Sequence, residues 1–201
     1  MISELLHFGV PPQVLKFFAA EEPIFDFGDD AEYFTADCHR LPVTRNLWTA
    51  GDPLARQVVI TYSAMEAIAF LTVKRSAYRN HQDLFFIAIG SRLRPEQLQW
   101  IRQNLKGRNF TLVFGNDLLG KLTDIKVAAG IRNKMLSICY QAGEVEIRLK
   151  ARKIIFEAEK LSLHVFEEAF GIRTKVRTCK PACDLTFLNQ LKNEKSSSYY
   201  A

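Results

Sequence analysis

The hydrophobic pattern is clearest over residues 56–131, where continuous apolar runs alternate with amphipathic segments. Three runs without a charged residue are typical of strands buried on both faces: 57–62, 84–89 and 110–114. Each is followed by a segment with apolar residues at helical spacing: 64–74, 95–105 and 117–131. This alternation predicts an α/β fold, in which a mostly parallel sheet is flanked by helices on both faces.

The segment before this core predicts shorter elements. Pro11 and Pro12 suit the first turn of a helix, and apolar residues over 14–18 supply its buried face. Three short stretches rich in aromatic and β-branched residues then predict two or three antiparallel strands: 23–28, 31–36 and 41–47.

The segment after the core is mixed. Residues 136–141 and 144–150 flank Ala142-Gly143, which predicts a tight hairpin with one face in water. A candidate strand, a helix, a strand and a last helix follow: 153–158, 161–170, 172–178 and 184–191.

These elements divide the chain into three parts. Residues 1–50 are predicted to form a helix and a small β-rich segment packed on the core. Residues 51–193 are predicted to form the α/β domain, with a β-hairpin insertion near 135–157, and 194–201 a flexible tail.

Composition excludes several classes of protein. The chain has 201 residues, of which 48% are hydrophobic and 24% charged, as in ordinary globular domains and unlike disordered chains. The apolar runs are too short to span a bilayer, and the N-terminus lacks the pattern of a signal peptide. We therefore expect a cytoplasmic protein without membrane contact.

Charge is distributed unevenly. Seven acids and no base lie between Lys16 and Arg40, whereas the second half is basic, and the net charge is +5. The basic half favours a polyanionic partner, because phosphate contacts release counterions. The alternative is an ordinary solvated surface.

The four cysteines are scattered, which favours reduced thiols. Whether Cys38, His39, Cys179 and Cys183 meet in space is not determined by their spacing, and we expect no metal there. Cys139 lies in an apolar run and is expected to be a small core residue.

Two places where a strand leads into a helix carry candidate chemistry, because ligands of open α/β sheets bind at the carboxyl ends of the strands. At the first, Ser63 and Glu66 have the spacing of a capping box. At the second, Asp117 is suited to cap a helix. Tyr62 could stack on a base or fill the core.

Together with Gly90 after the middle run, these segments resemble the Toprim domain of bacterial primases, topoisomerases and related nucleases. In that family the first strand ends in a Glu, and a later strand ends in Asp-x-Asp with a Gly three residues on. The resemblance implies that these acids would hold Mg²⁺ for phosphoryl chemistry.

The match is partial. The Glu position falls on Tyr62 and the first Asp falls on Gly115, whereas Asp117 and Gly120 are retained and Glu66-Ala67 matches a helix pair. A phenol and a glycine are poor replacements for carboxylates as Mg²⁺ ligands. The resemblance thus implies a degenerate cleft, formed by Tyr62, Ser63, Gly90, Gly115, Asn116 and Gly120.

The resemblance extends over residues 41–192 and points to the primase and mobile-element branch of the family. Asn46–Thr49 resembles the approach to the first strand in that branch, and Asp184–Leu191 is a loose echo of its last helix.

The first hypothesis is a catalytically inactive Toprim-like protein without a cofactor, linked to replication or mobilisation of a mobile genetic element. Its partners would be DNA or RNA, or a replication or mobilisation protein. The candidate nucleic-acid-binding residues are Arg148, Lys150, Arg152, Lys153, Arg173, Lys175 and Arg177. On alternating strands, each group is expected to lie largely on one face.

Two alternatives remain. A Mg²⁺-dependent nuclease or primase-type phosphotransferase would need replacement acids, for which Glu66, Asp117 and Asp184 are the candidates. A protein–protein interaction module would use the acidic segment 21–37 as its contact surface.

Overall fold

The computed structural model describes residues 5–6, 8–35, 37–78 and 80–198. The strands, in chain order, are β1 (Ile24–Asp26), β2 (Ala31–Phe34), β3 (His39–Arg40), β4 (Trp48–Gly51), β5 (Gln57–Thr61), β6 (Leu84–Ala88), β7 (Asn109–Val113), β8 (Leu136–Gln141), β9 (Glu144–Leu149), β10 (Arg152–Glu157) and β11 (Val176–Thr178). The helices whose bounds lie within these residues are α1 (Pro12–Phe18), α2 (Ala64–Lys74), α3 (Pro95–Asn104), α4 (Leu118–Ile131), α5 (Leu163–Phe170) and α6 (Phe187–Ser198).

The central sheet confirms the predicted α/β architecture. Its five strands lie in the order β11-β7-β5-β6-β4, and all neighbours are parallel except the edge pair β4 and β6. Thr61 at the end of β5 is paired with Ala88 on one side and Val113 on the other. The carboxyl ends of β5, β6 and β7 therefore meet at one edge of the sheet.

Two apolar layers cover the sheet because neighbouring residues on a strand point to opposite faces. Val59 of β5 faces a core that contains α1, α2, α6 and residues of β1 and β2. Val58 and Ile60 face the other core, which contains α3, α4, α5 and β8–β10. The N-terminal segment therefore shares its core with the central sheet.

The N-terminal strands differ in part from the prediction. β1 and β2 pair antiparallel within the predicted stretches, although residue 36 lies outside the described range. The stretch predicted over 41–47 contains no strand, and the next strand is β4. The Thr44 hydroxyl donates a hydrogen bond to Asp29, and the Val43 amide donates to Asp30. Polar groups of this stretch therefore bind aspartate side chains and do not pair in a strand ladder.

The predicted hairpin is part of a three-stranded antiparallel sheet, β8-β9-β10. Ala142 and Gly143 both have positive φ, which suits the tight turn of a two-residue hairpin. Val145, Ile147 and Leu149 point into the core. Cys139 pairs with Glu146 on the outer face and is exposed, so its predicted core position is wrong.

The last helix is longer than predicted. α6 runs from Phe187 to Ser198, so the tail predicted to be flexible from 194 is helical over 194–198, and 199–201 lie outside the described residues. The Thr186 hydroxyl accepts a hydrogen bond from the Asn189 amide and caps its first turn. Within the described ranges, none of the helices combines the length and apolarity needed to cross a bilayer.

Candidate functional site

The two motif segments lie side by side at the carboxyl edge of the sheet. The ring of Tyr62 after β5 contacts the ring of Phe114 after β7, with centroids 4.6 Å apart. Gly90 completes the edge, since its amide donates to the Tyr62 carbonyl at 2.9 Å. A side chain at position 90 would collide with the Pro42 carbonyl, and φ is +76° there, so only glycine suits the position.

The side chain of Tyr62 packs against helix α4 and does not face an open cleft. Its hydroxyl lies 2.5 Å from the Thr123 hydroxyl and 3.3 Å from the Leu119 carbonyl oxygen. Burial raises the pKa of Tyr62 to about 12, and the carboxylates of Asp117 and Asp124 add to this effect. The phenol is therefore neutral at physiological pH and cannot replace an anionic metal ligand.

Asp117 and Gly120 build the start of α4. The Asp117 carboxylate accepts a hydrogen bond from the Gly120 amide at 2.8 Å, as expected for a helix cap. A Cβ atom at position 120 would lie 1.9 Å from the Gly115 carbonyl oxygen, so the loop closes only over glycine. Asn116 is exposed, and its amide donates to the Leu185 carbonyl. These contacts account for Asp117 and Gly120 without a metal ion.

The side-chain ammonium of Lys180 lies at the carboxyl end of β7. The ammonium donates to the carbonyl oxygens of Phe114 at 3.1 Å and Gly115 at 2.9 Å. It also forms an ion pair with Asp124 of α4, whose carboxylate oxygen lies 2.6 Å away. Three acceptors therefore surround one ammonium group, which matches the three donors of lysine.

The Lys180–Asp124 pair is largely removed from water. The exposed fraction of the side chain is 22% for Lys180 and 2% for Asp124. Burial raises the pKa of Asp124 to about 6, although the ammonium of Lys180 acts in the opposite direction. The second carboxylate oxygen of Asp124 is buried without a hydrogen-bond partner in the described part of the chain.

Sequence reasoning missed this pair. Asp124 gave one available signal, since it lies among the buried positions of the apolar face of α4, next to Ile125. A charge on a buried helix face needs a partner. The periodicity of α4 does not say that the partner follows β11, because only the pairing of β11 with β7 brings Lys180 to this edge.

Glu66 anchors α6 to α2. It is buried, and its two carboxylate oxygens accept hydrogen bonds from the amides of Phe187 at 2.7 Å and Leu188 at 3.1 Å. Burial raises the pKa of Glu66, while these two amides lower it. Ser63 caps α2 by accepting from the Glu66 amide, so half of the predicted capping box is present. The other half is absent because the carboxylate is bound to α6.

Glu32 also binds the amides at the start of a helix, in this case α2. Its carboxylate, with an exposed fraction of 0%, accepts from the amides of Ala64 at 2.7 Å and Met65 at 3.1 Å at the start of α2. His39 lies against the same carboxylate at 2.8 Å. The acidic segment 21–37 is therefore not wholly a surface, since its central acid is buried in the fold.

The residues at this edge do not fit Mg²⁺. That ion requires an octahedral set of oxygens, normally with carboxylates among them. Here Glu66 and Asp117 are bound to helix amides, and Asp124 is bound to an ammonium group. Asp184 accepts from the Asn193 side chain instead. Across the described ranges, no group of three or more His, Cys, Asp or Glu residues is placed to hold a metal ion.

The candidate basic residues of the hairpin are not one cationic face, which corrects the prediction. Arg148 and Lys153 both pair with Glu146, each at 2.6 Å. Arg152 lies on the opposite face of its strand, with its guanidinium over the Phe170 ring. Lys150 is exposed in the turn after β9.

The second basic group, here called the β11 row, is exposed throughout, although the backbone turns at Lys175, where φ is +56°. Arg173, Lys175 and Arg177 are exposed, and they alternate with the buried Thr174 and the half-buried Val176. The row runs into β11, an edge strand of the central sheet.

No protein-family model, curated protein or solved structure matches this chain, so the geometry of its own residues is the basis for assigning a function.

Proposed function

We propose that the chain is a catalytically inactive Toprim-like protein that binds nucleic acid in the cytoplasm. The observation that carries the inactive part is the ammonium of Lys180, bound by Asp124 and by the Phe114 and Gly115 carbonyls. A divalent cation placed at the same acceptors would be repelled by this ammonium at contact distance. The crevice is thus neutralised by a cation that belongs to the chain.

The nucleic-acid part is supported by the exposed cations of the β11 row, which lead into β11. Arg132 extends that row, because its guanidinium donates to the Thr174 carbonyl between Arg173 and Lys175. Among the described residues, none of the four cations forms an ion pair, which leaves each available to phosphate: Arg132, Arg173, Lys175 and Arg177. Contacts of this kind position a phosphate backbone and carry no sequence information.

The biological setting rests on the resemblance alone. A Toprim-like chain of the mobile-element branch would act beside a replication or mobilisation protein. If a replication or mobilisation protein co-purifies with the tagged chain, this setting is supported. If no such protein co-purifies from cells that carry the element, this setting is contradicted.

Replacing Arg173, Lys175 and Arg177 together by alanine is expected to weaken binding to random-sequence DNA or RNA. The slope of log K against log salt concentration should fall by about one for each lost contact. Fluorescence anisotropy at several salt concentrations measures both quantities. The Arg148→Ala/Lys153→Ala variant is the control, since both of those cations are bound to the Glu146 carboxylate and are expected to contribute less to phosphate contacts. Wild-type protein that binds neither DNA nor RNA at low salt would refute the proposal.

Wild-type protein is expected to leave supercoiled plasmid intact in the presence of Mg²⁺ or Mn²⁺, because its acids are bound to helix amides and to Lys180. Agarose gel electrophoresis of the plasmid measures nicking. Metal-dependent nicking that Asp117→Asn abolishes would overturn the inactive assignment and establish a phosphodiesterase.

A further inference from the structure

A groove lined by basic residues lies between α3, α4 and the start of β8, outside the site above. Its volume is about 390 Å³. Four of its lining residues are basic and none is acidic: Arg94, Arg102, Lys126 and Lys134. None of these four forms an ion pair with another described residue. A concave surface of one charge concentrates the electrostatic potential and attracts anions.

The floor of the groove is apolar. Leu98 packs directly on α4 at Gly130, where a Cβ atom would come within 2.5 Å of the leucine side chain. Met135 has an exposed fraction of 89% and lies at the rim beside Leu136. A ligand that fills the groove must therefore present apolar surface to the floor and negative charge to the walls.

We infer that this groove binds single-stranded nucleic acid, an inference that rests on the proposed function and gives it a second contact. Unpaired bases can bury part of their apolar faces against the Leu98 and Met135 side chains while the phosphates contact the basic walls. In a duplex the bases are stacked inside, so only the phosphates would reach the groove. The apolar floor therefore favours a single strand.

The position of the groove favours nucleic acid over an acidic peptide. Lys134 of the groove lies two residues after Arg132, which contacts the Thr174 carbonyl within the β11 row. The groove and the row thus both include residues from the end of α4, and between them they contain eight cations. A polymer with one charge on every unit can contact both sets of cations along its length.

The test compares labelled single strands, dT20 and rU20, with a 20-base-pair duplex by fluorescence anisotropy. Wild-type protein is expected to bind at least one single strand about tenfold more tightly than the duplex, because only the bases of a single strand bury apolar surface on the floor. The variant Arg102→Gln/Lys126→Gln/Lys134→Gln should lose about tenfold in single-strand affinity and should also weaken duplex binding, since the phosphates of both reach the basic walls. Met135→Ser should weaken single strands only, since it removes apolar contact and no charge. Lys106→Gln, an exposed lysine outside the groove, is the control.

The outcomes separate this inference from the proposed function. If single-strand affinity is unchanged in both groove variants but falls in the β11-row variant, the groove is not a binding site. Nucleic-acid binding by the chain is then retained. Binding of neither single strands nor duplex overturns both. A poly-glutamate peptide of equal charge that displaces dT20 at equal concentration overturns the assignment to nucleic acid. The relative affinities of dT20 and rU20 distinguish DNA from RNA as the source of the strand.

Discussion

Replacing Lys180 with methionine is expected to lower the free energy of unfolding by about 3 kcal/mol at pH 8. The change keeps much of the side-chain volume but removes the ammonium that Asp124 and two backbone carbonyls share. Asp124 then remains buried as an unpaired carboxylate, which is costly in a medium of low polarity. Urea denaturation followed by circular dichroism measures the loss.

The loss in this variant should depend on pH in a definite direction. The pKa of Asp124 is already raised to about 6 by burial, and without the ammonium it rises further. A carboxyl whose pKa is higher in the folded state stabilises the fold at low pH and loses that contribution as the pH rises through the folded value. The deficit relative to wild type is therefore smaller at pH 5 than at pH 8.

Two further variants keep this prediction falsifiable. Adding Asp124→Asn to Lys180→Met should restore part of the stability, because the buried charge is then gone. Lys121→Met, which removes an ammonium bound to the Glu159 carbonyl at the surface, should cost less than about 0.5 kcal/mol. A Lys180→Met variant as stable as wild type at pH 8 would show that the ammonium does not occupy the end of β7.

Replacing Glu32 with glutamine is expected to cost about 3 kcal/mol of unfolding free energy. The carboxylate accepts from two amides at the positive end of the α2 dipole, and each such bond to a charged group is strong. Glutamine has one acceptor oxygen, so its amino group would face a helix amide that also donates. Thermal and urea unfolding measure the loss, together with faster hydrogen exchange at Ala64 and Met65.

Glu22→Gln is the matched control for this variant. Glu22 is an exposed acid of the same N-terminal segment, and we expect a change below about 0.5 kcal/mol. Equal stability of the Glu32 and Glu22 variants would show that the Glu32 carboxylate is not buried at the start of α2. It would then strengthen the alternative in which the whole segment 21–37 is a contact surface for another protein.

The architecture was predictable because its signals are local. Val58, Val59 and Ile60 are apolar at successive positions, and only a strand covered on both faces buries all three. Ser63 and Asp117 stand where helix amides need acceptors, and both cap the helices that the sequence predicts. Periodicity and caps depend on neighbours along the chain, so they can be read before folding.

The partners of the charged groups were decided by the tertiary structure. Glu66 binds amides more than a hundred residues away, Glu32 leaves an acidic stretch to cap α2, and Lys180 reaches Asp124 only because β11 joins β7. The register of β9 with β10 likewise brings Lys153 to Glu146. No pattern along the chain contains these contacts, because an electrostatic partner is defined by distance in space and by the loss of water around it.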